Sequence, residues 1–158
     1  MIHRETGLTA AAIMQVDVVR LEPAYTLRET LYAMTQARAR YAIVERNGVF
    51  EGLVSDRDVR FALPSRLGPA DAGHPNRLLD ETAVEAVRIQ RPYSVRPTEP
   101  ATSTARLMLE KRVGCVPVVN HHEHAIGIVT LEDFARVFVG LSGPDETPLA
   151  DAFRRLVA

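Results

Sequence analysis

Gly52-Leu53-Val54-Ser55-Asp56-Arg57-Asp58 and Gly127-Ile128-Val129-Thr130-Leu131-Glu132-Asp133 are two copies of one phrase. Each runs glycine, two aliphatic residues, a hydroxyl residue and, three places on, an aspartate. Asp58 and Asp133 stand 75 positions apart. Working upstream, YAIVERNGVFEGLVS (41–55) overlays VPVVNHHEHAIGIVT (116–130). Both show an apolar run, a polar bend and a second apolar run, the signature of strand, turn and strand. Asn47-Gly48 is a tight-turn pair in the first bend.

Further upstream lie helical spacings. Leu27, Leu31 and Met34 recur on one face of the first helix, and Ala105, Met108 and Leu109 suggest the same in the second. Thr26 and Glu29 have capping-box spacing. The overlay needs one gap residue between helix and following strand. A β-rich segment precedes each helix (VVRLEP and YSVRPTEP), and a short apolar helix follows each motif (DVRFAL and DFARVFVGL). The order is therefore strand-helix-strand-strand-helix twice, in an α+β fold of α/β-like repeats. The first repeat covers residues 10–63, a linker 64–83, the second repeat 84–140 and a tail 141–158. The linker carries Pro64, Gly68, Pro69, Gly73 and Pro75 and is expected to be turn and loop, pinned by Leu78 and Leu79. The tail has room for one short helix through Leu149, Phe153, Leu156 and Val157. A repeat of about 55 residues is near the lower limit for burying a core alone. A pseudo-twofold pair with a cleft between its halves is expected.

Composition narrows the function. Of 158 residues, 46% are hydrophobic and 25% charged, with 19 basic and 20 acidic side chains and a formal charge of −1. That balance provides no general electrostatic reason to bind nucleic acid or an anionic membrane. No apolar run approaches the ~20 residues of a spanning helix. MIHRETGLTAAAIM has no long apolar stretch of a secretory signal. Cys115 is the single cysteine, so no internal disulfide can form, and its apolar neighbours predict a buried, inert thiol. A cytoplasmic location is the expectation.

The repeated phrase permits two readings. In the first, Ser55 and Thr130 cap a helix whose third residue, Asp58 or Asp133, reaches back to the cap amide. In the second, the same helix start is a nucleotide clamp. Its amides and partial positive charge suit a phosphate, and the carboxylate can accept two neighbouring sugar hydroxyls. Arg57 and Arg60 flank Asp58 as phosphate partners, against the alternative of a solvated helix face. The second motif has Leu131 and Glu132 there, with Arg20, Arg38 and Arg40 as more distant cations, so the two sites are expected to be unequal.

The doubled motif, joined with VGCVPVVN (113–120), resembles a pair of CBS domains, the arrangement also called a Bateman module. The resemblance covers about residues 10–140. The first copy has ARYAIVE where the second supplies Pro117. SDRDVRFALPS (55–65) together with GCVPVVN is most similar to the stand-alone CBS pairs grouped with acetoin-utilisation proteins. The resemblance implies a non-catalytic regulatory module that binds an adenosine-containing ligand, AMP, ADP, ATP or S-adenosylmethionine, and requires no cofactor. It implies that Asp58 and Asp133 hold the ribose and that Ser55 and Thr130 sit near ribose or phosphate. It also implies that Val18, Val19, Ala42, Tyr93, Val95, Val116 and Pro117 surround the base. A homodimer through the CBS helices is implied too, and Phe61, Leu63, Phe134, Val137, Phe138 and Val139 provide apolar surface for it. With no output domain in this stretch, the expected output is a separate regulated protein or the dimer itself.

Other readings remain beside it. One is a structural or interaction scaffold with degenerate sites; another, weaker, is a nucleotide-hydrolysing enzyme. No HExxH, Walker loop or G-x-S-x-G elbow occurs, and no catalytic residue is assigned. His121, His122 and His124 crowd one bend, where an exposed turn is expected rather than a metal site.

Overall fold

In the computed structural model, residues 7–63 and 75–142 are described. The first long helix, α2 (Leu27–Gln36), starts on the expected capping box. The Thr26 hydroxyl accepts from the Glu29 amide at 3.2 Å, and the Thr26 amide donates to Glu29 Oε2 at 2.8 Å. The Thr26 amide, and then the Thr26 hydroxyl, which donates to the same oxygen at 2.9 Å, hold the Glu29 carboxyl below its ordinary range. Leu27, Thr30 and Met34 form the buried face, with Leu31 packed at its edge.

Residues 17–92 form one unit. In it β1 (Val19–Leu21) runs parallel to β2 (Tyr41–Arg46), which pairs antiparallel with β3 (Val49–Ser55) through the Asn47-Gly48 turn. Both turn residues have positive φ, 52° and 79°, the geometry that a two-residue hairpin requires. Helix α3 (Asp56–Phe61) follows at once, and β4 (Ile89–Gln90) closes the other edge of β3. Leu21, Leu27, Met34, Val44, Val54, Val59 and Val84 make the core.

Residues 7–16 and 93–142 form the other unit. It contains α1 (Ala10–Ile13), α5 (Ala101–Lys111), β5 (Cys115–Val119), β6 (Ala125–Thr130) and α6 (Leu131–Ser142). Val95 bridges Val118 in parallel and Gln15 bridges Ile128 antiparallel. These single bridges stand where β1 and β4 stand in the first unit. Its core gathers Leu8, Ile13, Val95, Met108, Val116, Val118, Val129 and Val137. The doubled strand-helix-strand-strand-helix order of an α+β fold is thus present.

Three details differ from expectation. Tyr41 opposes Ser55 while Cys115 opposes Thr130, so β2 and β5 are offset by 74 positions and β3 and β6 by 75. The extra residue therefore sits in the second hairpin bend, not between helix and strand, and Pro117 matches Ile43. In α5 the buried stripe is Ala101, Thr104 and Met108, whereas Leu109 is 72% exposed. The stripe centres on Ala101, Thr104 and Met108, and Leu109, about 100° round from Met108 on the side away from Thr104, falls to solvent. Within the linker, Pro75–Glu81 forms helix α4. Proline suits a first helical turn, Arg77 and Glu81 pair at 2.9 Å, and Leu79 packs against the core. The expected tail helix lies outside the described residues. No helix among the described residues is long and apolar enough to cross a membrane.

The motif glycines have a shared steric cause. A Cβ on Gly52 would lie 2.7 Å from the Ile89 carbonyl oxygen, and one on Gly127 would lie 2.6 Å from that of Gln15. In each unit a neighbouring segment, β4 in one and the Gln15 bridge in the other, crosses the motif too closely for a side chain there.

Candidate functional site

Each apolar strand delivers its motif to a helix start. Ser55 caps α3: its hydroxyl accepts from the Asp58 amide at 3.1 Å and donates to Asp58 Oδ2 at 2.6 Å. The Ser55 amide reaches the same oxygen at 2.8 Å. Thr130 and Asp133 repeat this, with Oδ2 taking the Thr130 amide and hydroxyl, both at 2.7 Å. The capping reading is therefore realised in both copies.

That geometry redistributes the clamp's donors. Each hydroxyl has one proton, and it goes to the aspartate rather than outward. The first helical amides are also engaged: Asp56 N–H donates to the Arg40 carbonyl at 3.0 Å and Leu131 N–H to that of Gly114 at 3.2 Å. What remains for recognition is chiefly the carboxylate. A carboxylate has about four lone-pair sites. At Asp58 two are used on Oδ2, and among the described residues no donor occupies Oδ1. Asp58 is half-buried, and the bonds to Oδ2 orient its carboxylate in advance.

Asp133 differs. Its side chain is buried, and Gln15 Nε2 donates to Oδ1 at 2.8 Å and to Oδ2 at 3.1 Å. Gln15 carried no signal in the sequence reading, because a lone amide ahead of the first repeat fits no periodic pattern. Arg136 was missed too. It lines, with Gln15 and Asp133, a concavity of about 370 Å³, and it pairs with Glu132 at 2.7 Å. A wider concavity of about 740 Å³ beside α5, near Arg96 and Arg106, contains no motif residue.

The remaining expected residues fall into two groups. In the 17–92 unit, Val19 stands beside Ala42 in register, Ala42 opposes Val54, and Val18 is half-buried. Arg57 lies over the Phe61 ring at 5.2 Å, and Arg60 pairs loosely with Asp56 at 3.8 Å. Both arginines are exposed, and such contacts are weak enough to yield to a phosphate. Arg20 is held by Glu45 at 2.7 Å. In the other unit, Val95 N–H donates to the Pro117 carbonyl at 3.0 Å, next to Val116. Tyr93 is half exposed, with Lys111 Nζ 5.3 Å from its ring centre. Ala42 and Val116 are wholly buried, and neither lines the two concavities above.

Cys115 is buried opposite Thr130. Burial, and then the nearby Asp133 charge, push its thiol well above the ordinary range. The histidine bend is an ordinary turn: Asn120 Oδ1 accepts from the His122 and His124 amides at 2.9 and 3.0 Å. Among the described residues no group of three metal-ligating side chains converges.

A sequence profile described as the CBS domain matches residues 10–65 and again 84–140. A CBS domain-containing protein of Dictyostelium discoideum is 28% identical over 105 residues, spanning 66% of this chain and 72% of that protein. The crystal structure of the CBS pair of protein MJ0100, bound to 5′-methylthioadenosine and S-adenosylmethionine, superposes with a TM-score of 0.69. It shares 18% identity over 84% of this chain and 97% of that one. CBSX2 from Arabidopsis thaliana in complex with AMP gives 0.69 at 22% identity, over 87% of this chain and all of that chain.

Proposed function

The chain belongs to the CBS-domain family, and from that premise we propose that it is a non-catalytic regulatory module that binds an adenosine-containing ligand. The observation that carries the proposal is the Asp58 carboxylate, anchored through Oδ2 by Ser55 and with no donor among the described residues on Oδ1. Such an acceptor suits the 2′- and 3′-hydroxyls of a ribose. Arg57 and Arg60 lie on the same helix and meet the phosphates of AMP, ADP or ATP, or the carboxylate of S-adenosylmethionine. The base lies against Val18, Val19 and Ala42. The structures that hold 5′-methylthioadenosine, S-adenosylmethionine and AMP in similar folds support this ligand class.

The output is geometric. A ligand that favours one arrangement of the module, or of its homodimer, shifts the population toward it. Phe61 and Val139, 74% and 66% exposed, provide apolar surface for a second copy, and a separate protein reads the change in the cytoplasm. The kinship with acetoin-utilisation proteins belongs to the same proposal.

Calorimetric titration with AMP, ADP, ATP and S-adenosylmethionine tests it. Asp58→Ala should weaken binding by about tenfold or more, the equivalent of lost hydrogen bonds to a charged acceptor. Unchanged affinity in that variant would leave a scaffold with two helix caps.

A further inference from the structure

The two motif aspartates are matched in their own caps but not in what crosses them. Gln15 pairs with Ile128, and Ile89 pairs with Leu53. Ile128 and Leu53 each follow their motif glycine, so Gln15 and Ile89 hold the same place in their units. The glycine contacts agree: Met14 and Gln15 crowd Gly127 as Arg88 and Ile89 crowd Gly52. At that shared place one unit has a carboxamide and the other a hydrocarbon. Gln15 Nε2 lies 2.8 and 3.1 Å from the two Asp133 oxygens and 3.5 Å from Thr130 Oγ1. Ile89 has no polar atom to offer Asp58. The guanidinium next to it, on Arg88, is drawn instead to Glu51 and to the Glu85 carbonyl.

We infer that Gln15 is an internal occupant of the second motif. Its N–H group takes the acceptor positions that a ribose diol needs, so a ligand reaches Asp133 only by displacing it. The residue at this crossing position decides which motif is open: isoleucine leaves the aspartate available and glutamine closes it. Asp58 is therefore the site that fills first. The competition rests on the nucleoside reading above, whereas the internal hydrogen bond stands independently of it.

The test exchanges the two residues. AMP is titrated calorimetrically into the wild-type chain, Gln15→Ile, Ile89→Gln and the double variant. The wild type should bind AMP with high affinity at one site per chain. Gln15→Ile should tighten the second site about tenfold or more, the effect of removing a hydrogen bond to a carboxylate, and adding Asp133→Asn should abolish that gain. Ile89→Gln, a change at a half-exposed position, should weaken the Asp58 site by a similar factor. A second-site affinity unmoved or lowered in Gln15→Ile would overturn the inference. A ligand-free readout separates the two ideas. Gln36 and Gln90, the other glutamines, are exposed and serve as internal references in a ¹H–¹⁵N spectrum. The Gln15 carboxamide should exchange with solvent at least tenfold more slowly than theirs. Equal exchange overturns the occupant, even where Asp58 binds AMP. Slow exchange with no AMP binding in any variant upholds the occupant and overturns the nucleoside reading.

Discussion

Gly127→Ala tests whether the crossing segment constrains the motif. The new Cβ would sit 2.6 Å from the Gln15 carbonyl oxygen and 2.9 Å from Met14 Sδ, where ordinary contact begins at 3.4 Å. Met14 can swing aside, but the carbonyl is backbone and must retreat by about 0.8 Å. That retreat strains two hydrogen bonds, Gln15 N–H to the Ile128 carbonyl at 2.9 Å and Ile128 N–H to the Gln15 carbonyl at 3.0 Å. Each contributes about 0.5–1.5 kcal/mol, and overpacking alone costs about 1–3 kcal/mol. A loss of roughly 2–4 kcal/mol is expected. With a urea slope of about 2 kcal/mol per molar, the middle of the usual range, the midpoint should fall by roughly 1–2 M at unchanged slope. Gly7→Ala is the control, since its Cβ meets nothing within 4 Å and should change stability by less than about 0.5 kcal/mol. A Gly127→Ala midpoint equal to that of Gly7→Ala would refute the steric argument.

Two further outcomes follow from the local chemistry. Thr26→Ala removes the α2 cap and should cost about 1 kcal/mol by denaturation, with Glu29 titrating nearer its ordinary value. Cys115 should resist alkylation in the native state and react on unfolding. An unfolded thiol ionises near pH 8.5, while the folded one keeps its proton well above that. Over the window between them the unfolded state binds fewer protons, so stability falls as pH rises. The slope approaches about 1.4 kcal/mol per pH unit, and Cys115→Ala should remove that component.

The doubling was legible because strand and helix periods repeat with the motif. Thr26, Glu29 and Asn47-Gly48 announced their cap and turn through chemistry local to a few residues. The crossing strands were not legible. Ile89-Gln90 and the Gln15 bridge are too short to show alternation, and their partners are distant in sequence. The alignment gap was misplaced because β2 and β5 are both apolar, so sliding one by a residue keeps the hydrophobic match; only the pairing register fixes it. At the site, the phrase carried the positions of Asp58 and Asp133 but not their inequality, which depends on one amide brought from 118 residues away.

The account turns on a carboxylate that recognises a ribose diol, and one comparison addresses it directly: the affinity of the wild-type chain for AMP against 2′-deoxyadenosine monophosphate, by calorimetry in one buffer. Loss of one hydroxyl that donates to a charged acceptor should weaken binding about tenfold or more. Equal affinity for the two nucleotides would contradict the assignment of Asp58 to the sugar.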